Sequence, residues 1–221
     1  MKKEELYSKL LFIREELNKG KSEHYLVKCK NEHLKKFTKN LYEYHLNETV
    51  LNKYTLPNFE EEVKVDRNKT YRKFLFMLEE EELCNSHHKF DKTKIEDFLV
   101  VLGQRLTSAS ARSEEAIPPL DSDLLIASFQ SYNTQISKAA RALEKHSERS
   151  TQNFWGIVKG KPKEKEEKVR EILNYIFKNK TWWNVYCHFQ HELVYEIRIP
   201  SGHGIRWKMK NFDFIGFVEP F

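Results

Sequence analysis

Two strand-like runs near the end of the 221-residue chain carry the residue types best suited to chemistry. In ELVYEIRI (192–199), Val194, Glu196 and Arg198 alternate with Leu193, Tyr195, Ile197 and Ile199. In GIRWKMK (204–210), Arg206, Lys208 and Lys210 alternate with Ile205, Trp207 and Met209. Side chains on a strand point to opposite faces in turn, so pairing the two runs brings Glu196, Arg198 and Arg206 onto one sheet face. What that trio can do depends on what covers it. In the open, an ion pair contributes only about 0–1 kcal/mol and needs no further purpose. Beneath a helix, the same groups become a buried polar set, and the planar fork of arginine then suits a phosphate or a carboxylate.

Between the runs lies SGHG (201–204). Its two glycines suit a tight or bulged connection, whereas His203 is not required by the turn. A second cationic feature lies on the helix NTQISKAARALEKHSERS (133–150). At about 100° per residue, Ile136, Ala139, Ala140, Leu143 and Ser147 share one face, with Lys138, Arg141, Lys145 and Arg149 opposite. Four cations in a stripe can follow a phosphate backbone or close over an anionic small molecule. Glu144 and Glu148 flank the stripe, as on an ordinary solvated helix face.

These residues define two functional readings. In the first, a small anionic ligand bearing phosphate or carboxylate is held by Arg112, Arg141, Lys145, Arg198, Arg206 and Trp207. If that site is catalytic, Glu115 or Glu196 is the candidate base and His146 or His203 the candidate acid. In the second, the chain is a non-catalytic RNA- or protein-binding module that uses the basic helix face and the N-terminal helices.

Several chemistries have no anchor. GxSxG, HExxH, GxxxxGK[ST] and GxGxxG are all absent, and no HxE is followed by PCxxC. No cofactor is implied. Each cysteine has histidines nearby (Cys29 with His33, Cys84 with His87 and His88, Cys187 with His188 and His191), but no CxxC knuckle occurs. On a strand, Cys187 and His191 point one way and His188 the other, so no metal site is expected.

The elements that position these residues follow from periodicity. Leu6, Leu10, Ile13 and Leu17 mark an amphipathic helix that stops at Gly20, and Leu34, Phe37, Leu41 and Tyr44 mark a second. Residues 47–67 lack a period and read as a connector. Helices follow over NKTYRKFLFMLEEEELC and DKTKIEDFLVVLGQRL, then an extended loop, TSASARSEEAIPPL. Helices at 121–131, 135–148 and 162–179 precede four short strands whose tight connections predict an antiparallel meander. The expected class is α+β: a helical region over 1–107 and an α+β domain over 108–221, with the sheet packed by helices.

No run of 18 apolar residues occurs, so no membrane span is expected. MKKEELYSKLLFIREEL places charges where a leader needs an apolar block. Three scattered cysteines read as reduced thiols and hence a cytoplasmic protein. The net charge of +5 permits an anionic partner without demanding one.

SARSEEAIPPL, ARALEKHSERS with FWG after it, WWNV, and YEIRIPSGHGIRWKMKNFDFIGFVEP together resemble an uncharacterised family of cytoplasmic proteins. That family carries an AIPPL segment, an ARAL-x-KH helix, a Trp-Gly pair and a C-terminal G-x-G-x-RW…F-x-GF-x-EP. The resemblance spans 108–220 and implies one unit there; it implies no activity. The matching positions are Arg112, Glu115, Arg141, Lys145, His146, Trp155, Gly156, Glu196, Arg198, Gly202, Gly204, Arg206, Trp207 and Glu219.

Overall fold

The computed structural model describes residues 2–79, 89–149 and 154–220. The chain is α+β and divides into two compact units. Unit 1 takes the residues up to Thr55, Val63–Arg105 and Arg112–Ile117; unit 2 takes Leu56–Glu62, Leu106–Ala111 and the chain from Pro118. No helix among the described residues is long and apolar enough to cross a membrane.

Unit 1 is helical. Helix α1 (Lys3–Lys19) buries Leu6, Leu10, Ile13 and Leu17, the stripe its spacing dictates. Then come α2 (Tyr25–Lys28), α3 (Asn31–Leu46), α4 (Arg67–Glu79) and α5 (Ile95–Leu102). The core is aromatic: Phe37 stacks on Phe98 at 4.6 Å and meets Phe74 edge-on at 5.0 Å. Gly103, at φ 105°, closes α5 in the left-handed conformation that spares glycine the steric cost of a Cβ. Part of the expected connector is ordered, as a 3₁₀ helix over Glu48–Thr55.

Unit 2 holds α6 (Asp121–Ser128), α7 (Lys138–Arg149), α8 (Pro162–Asn179) and an antiparallel sheet. Its strands are β1 (Trp182–His188), β2 (Glu192–Arg198), β3 (Gly204–Lys208) and β4 (Phe214–Val218), adjacent in chain order. Helix α7 begins at Lys138 because the Ser137 hydroxyl accepts the Ala140 amide at 3.1 Å, a capping bond.

The register fixes the faces of the sheet. Trp183 pairs with Ile197, Val185 with Tyr195, Tyr195 with Trp207 and Ile205 with Phe217. This apolar face is covered by the buried sides of α7 (Ala139, Ala140, Leu143) and α8 (Val169, Ile172, Leu173, Ile176). On the other face Asn184 pairs with Glu196, and Glu196 with Arg206.

The second face is also covered, but by loops rather than by a helix. Phe59 lies flat on Trp182, centroids 5.0 Å apart, and under the Arg198 guanidinium at 5.6 Å. Asn184 donates to Ser110 Oγ at 2.7 Å. The extended segment pairs along β1, with the Ala111 amide on the Val185 carbonyl at 2.8 Å and the Cys187 amide on the Ala109 carbonyl at 3.2 Å. Val194 through Arg198 are therefore buried on both faces. Covered this way, the charged trio must be satisfied internally.

Candidate active site

Glu196 is only 1% exposed and is met by donors from three directions. Its Oε1 accepts from Arg198 Nε at 2.5 Å. Its Oε2 accepts from the Tyr186 hydroxyl at 2.6 Å and from Arg206, whose Nε and Nη2 both lie 2.6 Å away. Two guanidiniums on one carboxylate leave one positive charge in excess. Burial, opposed by Glu196, pulls the Arg198 pKa below its usual range. Burial, and then the Glu196 charge, push the Tyr186 phenol well up, so it stays a donor.

The two arginines serve different ends. Arg198 is buried and inward: its Nη1 donates to the Gly202 carbonyl at 2.6 Å and to the Glu219 carbonyl at 2.7 Å. The Arg206 side chain keeps 18% of its surface in solvent, and its Nη1 stands 2.9 Å from His188 Nε2. Burial, the Arg206 charge and His191, in that order, lower the His188 pKa. The imidazole is thus neutral near pH 7, and the guanidinium, having no acceptor, must donate to it. The Gln190 amide donates to Nδ1 at 3.2 Å, and a neutral ring has one lone pair for the two donors. The ring therefore serves one of the two donors at a time, and Nε2 accepts from the guanidinium in the tautomer that carries its proton on Nδ1.

A second knot closes over Glu219, at the end of β4. Its Oε1 accepts from Trp155 Nε1 at 2.8 Å and lies 2.9 Å from His146 Nε2; its Oε2 lies 3.3 Å from His203 Nε2. Phe154 stacks on His203 at 3.8 Å, and Ser201 Oγ lies 2.9 Å from His203 Nδ1. Burial lowers the His203 pKa against the pull of Glu219. The glycines beside His203 are set by close approach. A Cβ on Gly204 would fall 2.1 Å from the Ile197 carbonyl oxygen. Gly202 has φ 89°, and a Cβ there would fall 2.9 Å from Pro220.

Residues 126–219 match the model of a family described as the CdiA C-terminal tRNase toxin domain. The match lies within unit 2, spans less than half of the chain, and takes in both knots. No curated protein and no solved structure matches the chain.

The structure brings together Glu196, Arg198 and Arg206 in one knot and His146 and His203 in the other. Trp207 is in the core, its indole donating to Ser128 Oγ at 2.9 Å. Arg141 is spent on Glu144 at 2.6 Å and Lys138 on Asp213 at 2.8 Å, so those cations of the α7 stripe are already paired. Lys145 is exposed on the same helix. Arg112 and Glu115 are exposed in unit 1. The Arg149 side chain and Cys84, His87 and His88 lie outside the described residues. Among the described residues no group of three or more His, Cys, Asp or Glu is placed to hold a metal ion. Cys29 is buried, and burial pushes its thiol up to about 12.

From the sequence, Tyr186 is not named, His188 is taken up only as a neighbour of Cys187, and Trp155 only as a position of the family resemblance. For Tyr186 and His188 a signal exists: both share the alternation of Asn184, which faces Glu196 across β1 and β2.

Proposed function

We propose that unit 2 is a ribonuclease domain acting on tRNA, and that it cleaves at the open edge of the Glu196 knot. The family match supports an RNA substrate, in line with the RNA-binding alternative more than with a free small anion. The observation that carries the site is the contact between Arg206, partly exposed on a buried carboxylate, and a neutral His188.

RNA carries a nucleophile, the 2′-hydroxyl, beside every phosphate. Arg206 has five N–H donors and spends three on Glu196 and His188, which leaves two for phosphate oxygens. A phosphate that takes the Nη1 donor frees the His188 Nε2 lone pair. That nitrogen then accepts the 2′-hydroxyl proton as the 2′ oxygen bonds to phosphorus and the bond from phosphorus to the 5′ oxygen breaks. The departing oxygen takes a proton from water. The products are a 2′,3′-cyclic phosphate and a 5′-hydroxyl end. The surplus positive charge meets the charge that develops on the phosphoryl oxygens. Glu196, Arg198 and Tyr186 position Arg206, and the Glu219 knot fixes the β2–β3 turn from which Arg198 takes a carbonyl.

The test is incubation of purified protein with tRNA and analysis of the product ends. Arg206→Ala and His188→Ala, each confirmed as folded by circular dichroism, are expected to lose about 100-fold or more in kcat/KM. Full cleavage by folded His188→Ala, or products with 5′-phosphate ends, would overturn the reading.

A further inference from the structure

At the tip of the β1–β2 hairpin, three rings form one column. Phe189 stacks on His188 with centroids 4.7 Å apart and planes at 25°, and His188 stacks on His191 at 5.0 Å and 18°. His188 is the ring common to both stacks. Phe189 caps the column and is 89% exposed, the most exposed large apolar side chain among the described residues. Leaving a phenyl ring in water forgoes its burial energy, and at a three-residue hairpin tip nothing in the turn geometry requires an aromatic.

We propose that this column is a nucleobase platform: an unpaired base of the RNA substrate stacks on the outer face of Phe189 while its neighbouring phosphate is held by Arg206. The inference rests on the ribonuclease reading and adds where on the RNA the domain acts. The platform and the phosphate anchor share one residue, because the His188 ring lies within the column and its Nε2 edge touches Arg206. Stacking on a phenyl face is indifferent to base identity but demands a base with a free face. A base inside a duplex has both faces covered, so the substrate position is a loop, a bulge or a single-stranded end.

The column also explains why the chain spends a histidine, Phe189 and His191 within four residues. Stacked with two other rings, His188 keeps its plane, so its edge stays aimed at Arg206. A base added beyond Phe189 lengthens the stack without disturbing that edge. The column therefore acts on binding and on local geometry, not on proton transfer.

Phe189→Ala and Phe189→Trp are compared with the parent on a single-stranded oligoribonucleotide, the same oligonucleotide annealed to its complement, and tRNA. Because Phe189 is exposed, both variants are expected to fold. The expected result is cleavage of single strand over duplex by the parent. Phe189→Ala should show a KM raised about 5- to 100-fold, with kcat changed far less, and Phe189→Trp should restore KM. RNA should also quench the new indole of Phe189→Trp. A parent that cleaves RNA while Phe189→Ala keeps its KM, or a duplex cut as fast as the single strand, would overturn the platform and leave the ribonuclease reading intact. A parent that cleaves no RNA and binds none, with no quenching in Phe189→Trp, would overturn both.

Discussion

Nη1 of Arg206 stands 2.9 Å from Nε2 of His188, so the cation proposed to hold a phosphate and the imidazole proposed to take a proton are bonded to each other. The guanidinium thereby occupies the lone pair that the proposed chemistry needs. The pair is also mutually tuned: burial and then the Arg206 charge keep His188 below its ordinary pKa, with Glu196 opposing.

The pH dependence follows from that tuning. In the proposed reaction the neutral imidazole is the active form, and a pKa lowered from the ordinary value of about 6.5 extends that form to lower pH, so the acid limb of cleavage should lie below that value. Replacing Arg206 with Gln removes one of the lowering causes and leaves the burial. The His188 ring, followed by NMR titration, should then protonate at higher pH than in the parent, whether or not the variant cleaves. An unchanged titration would show that Arg206 does not tune it.

Glu196→Gln tests the buried knot. The substitution keeps the shape but leaves two guanidiniums without their counter-charge, one of them wholly buried. Removing one partner of a buried ion pair costs about 3–5 kcal/mol. Urea unfolding should show a loss in that range; a loss below about 1 kcal/mol would mean that water already screens the site.

How much of this was legible in the sequence depends on the range of each relationship. The α1 stripe and the placing of Glu196, Arg198 and Arg206 on one face needed only local periods, 3.6 and 2, and both were readable. The role of His188 needed the strand register, because its partner Arg206 is 18 residues away. The contact of His146 with Glu219 spans 73 residues and no local pattern announces it. Residues 56–62 and 106–111 cover the polar face without any period, so the sequence leaves open whether anything covers it. Trp207 looked as fit for a ligand as for a core; only the depth of the apolar face decides between them.

His203 should make stability depend on pH. It is buried against Phe154, and burial, with Arg198 and His146, lowers its pKa, while Glu219 raises it. The folded value is thus below the unfolded one of about 6.5, so this stability is complete above pH 6.5 and is lost as pH falls through the folded pKa. Melting should shift down between pH 7 and pH 5. His203→Asn should melt lower at pH 7 but fall less on acidification. An equal fall in both proteins would assign the effect to other groups.

Two glycines separate close approach from mere turn preference. A Cβ on Gly204 would fall 2.1 Å from the Ile197 carbonyl oxygen, a backbone atom of the paired strand that cannot step aside without opening the β2–β3 ladder. At Gly20, at the end of α1, the nearest atoms to an added Cβ are at 3.5 and 3.6 Å, and φ is −71°. Gly20→Ala should therefore be neutral or stabilise by up to about 1 kcal/mol through the unfolded chain. Gly204→Ala should cost about 2 kcal/mol or more and, because Arg198 on β2 is its cross-strand partner, should also weaken the proposed cleavage of tRNA. Thermal melts of the two variants beside the parent check both signs. If Gly204→Ala melts with the parent, the β2–β3 turn can relax, and the arginine it anchors is less tightly held than the distances state.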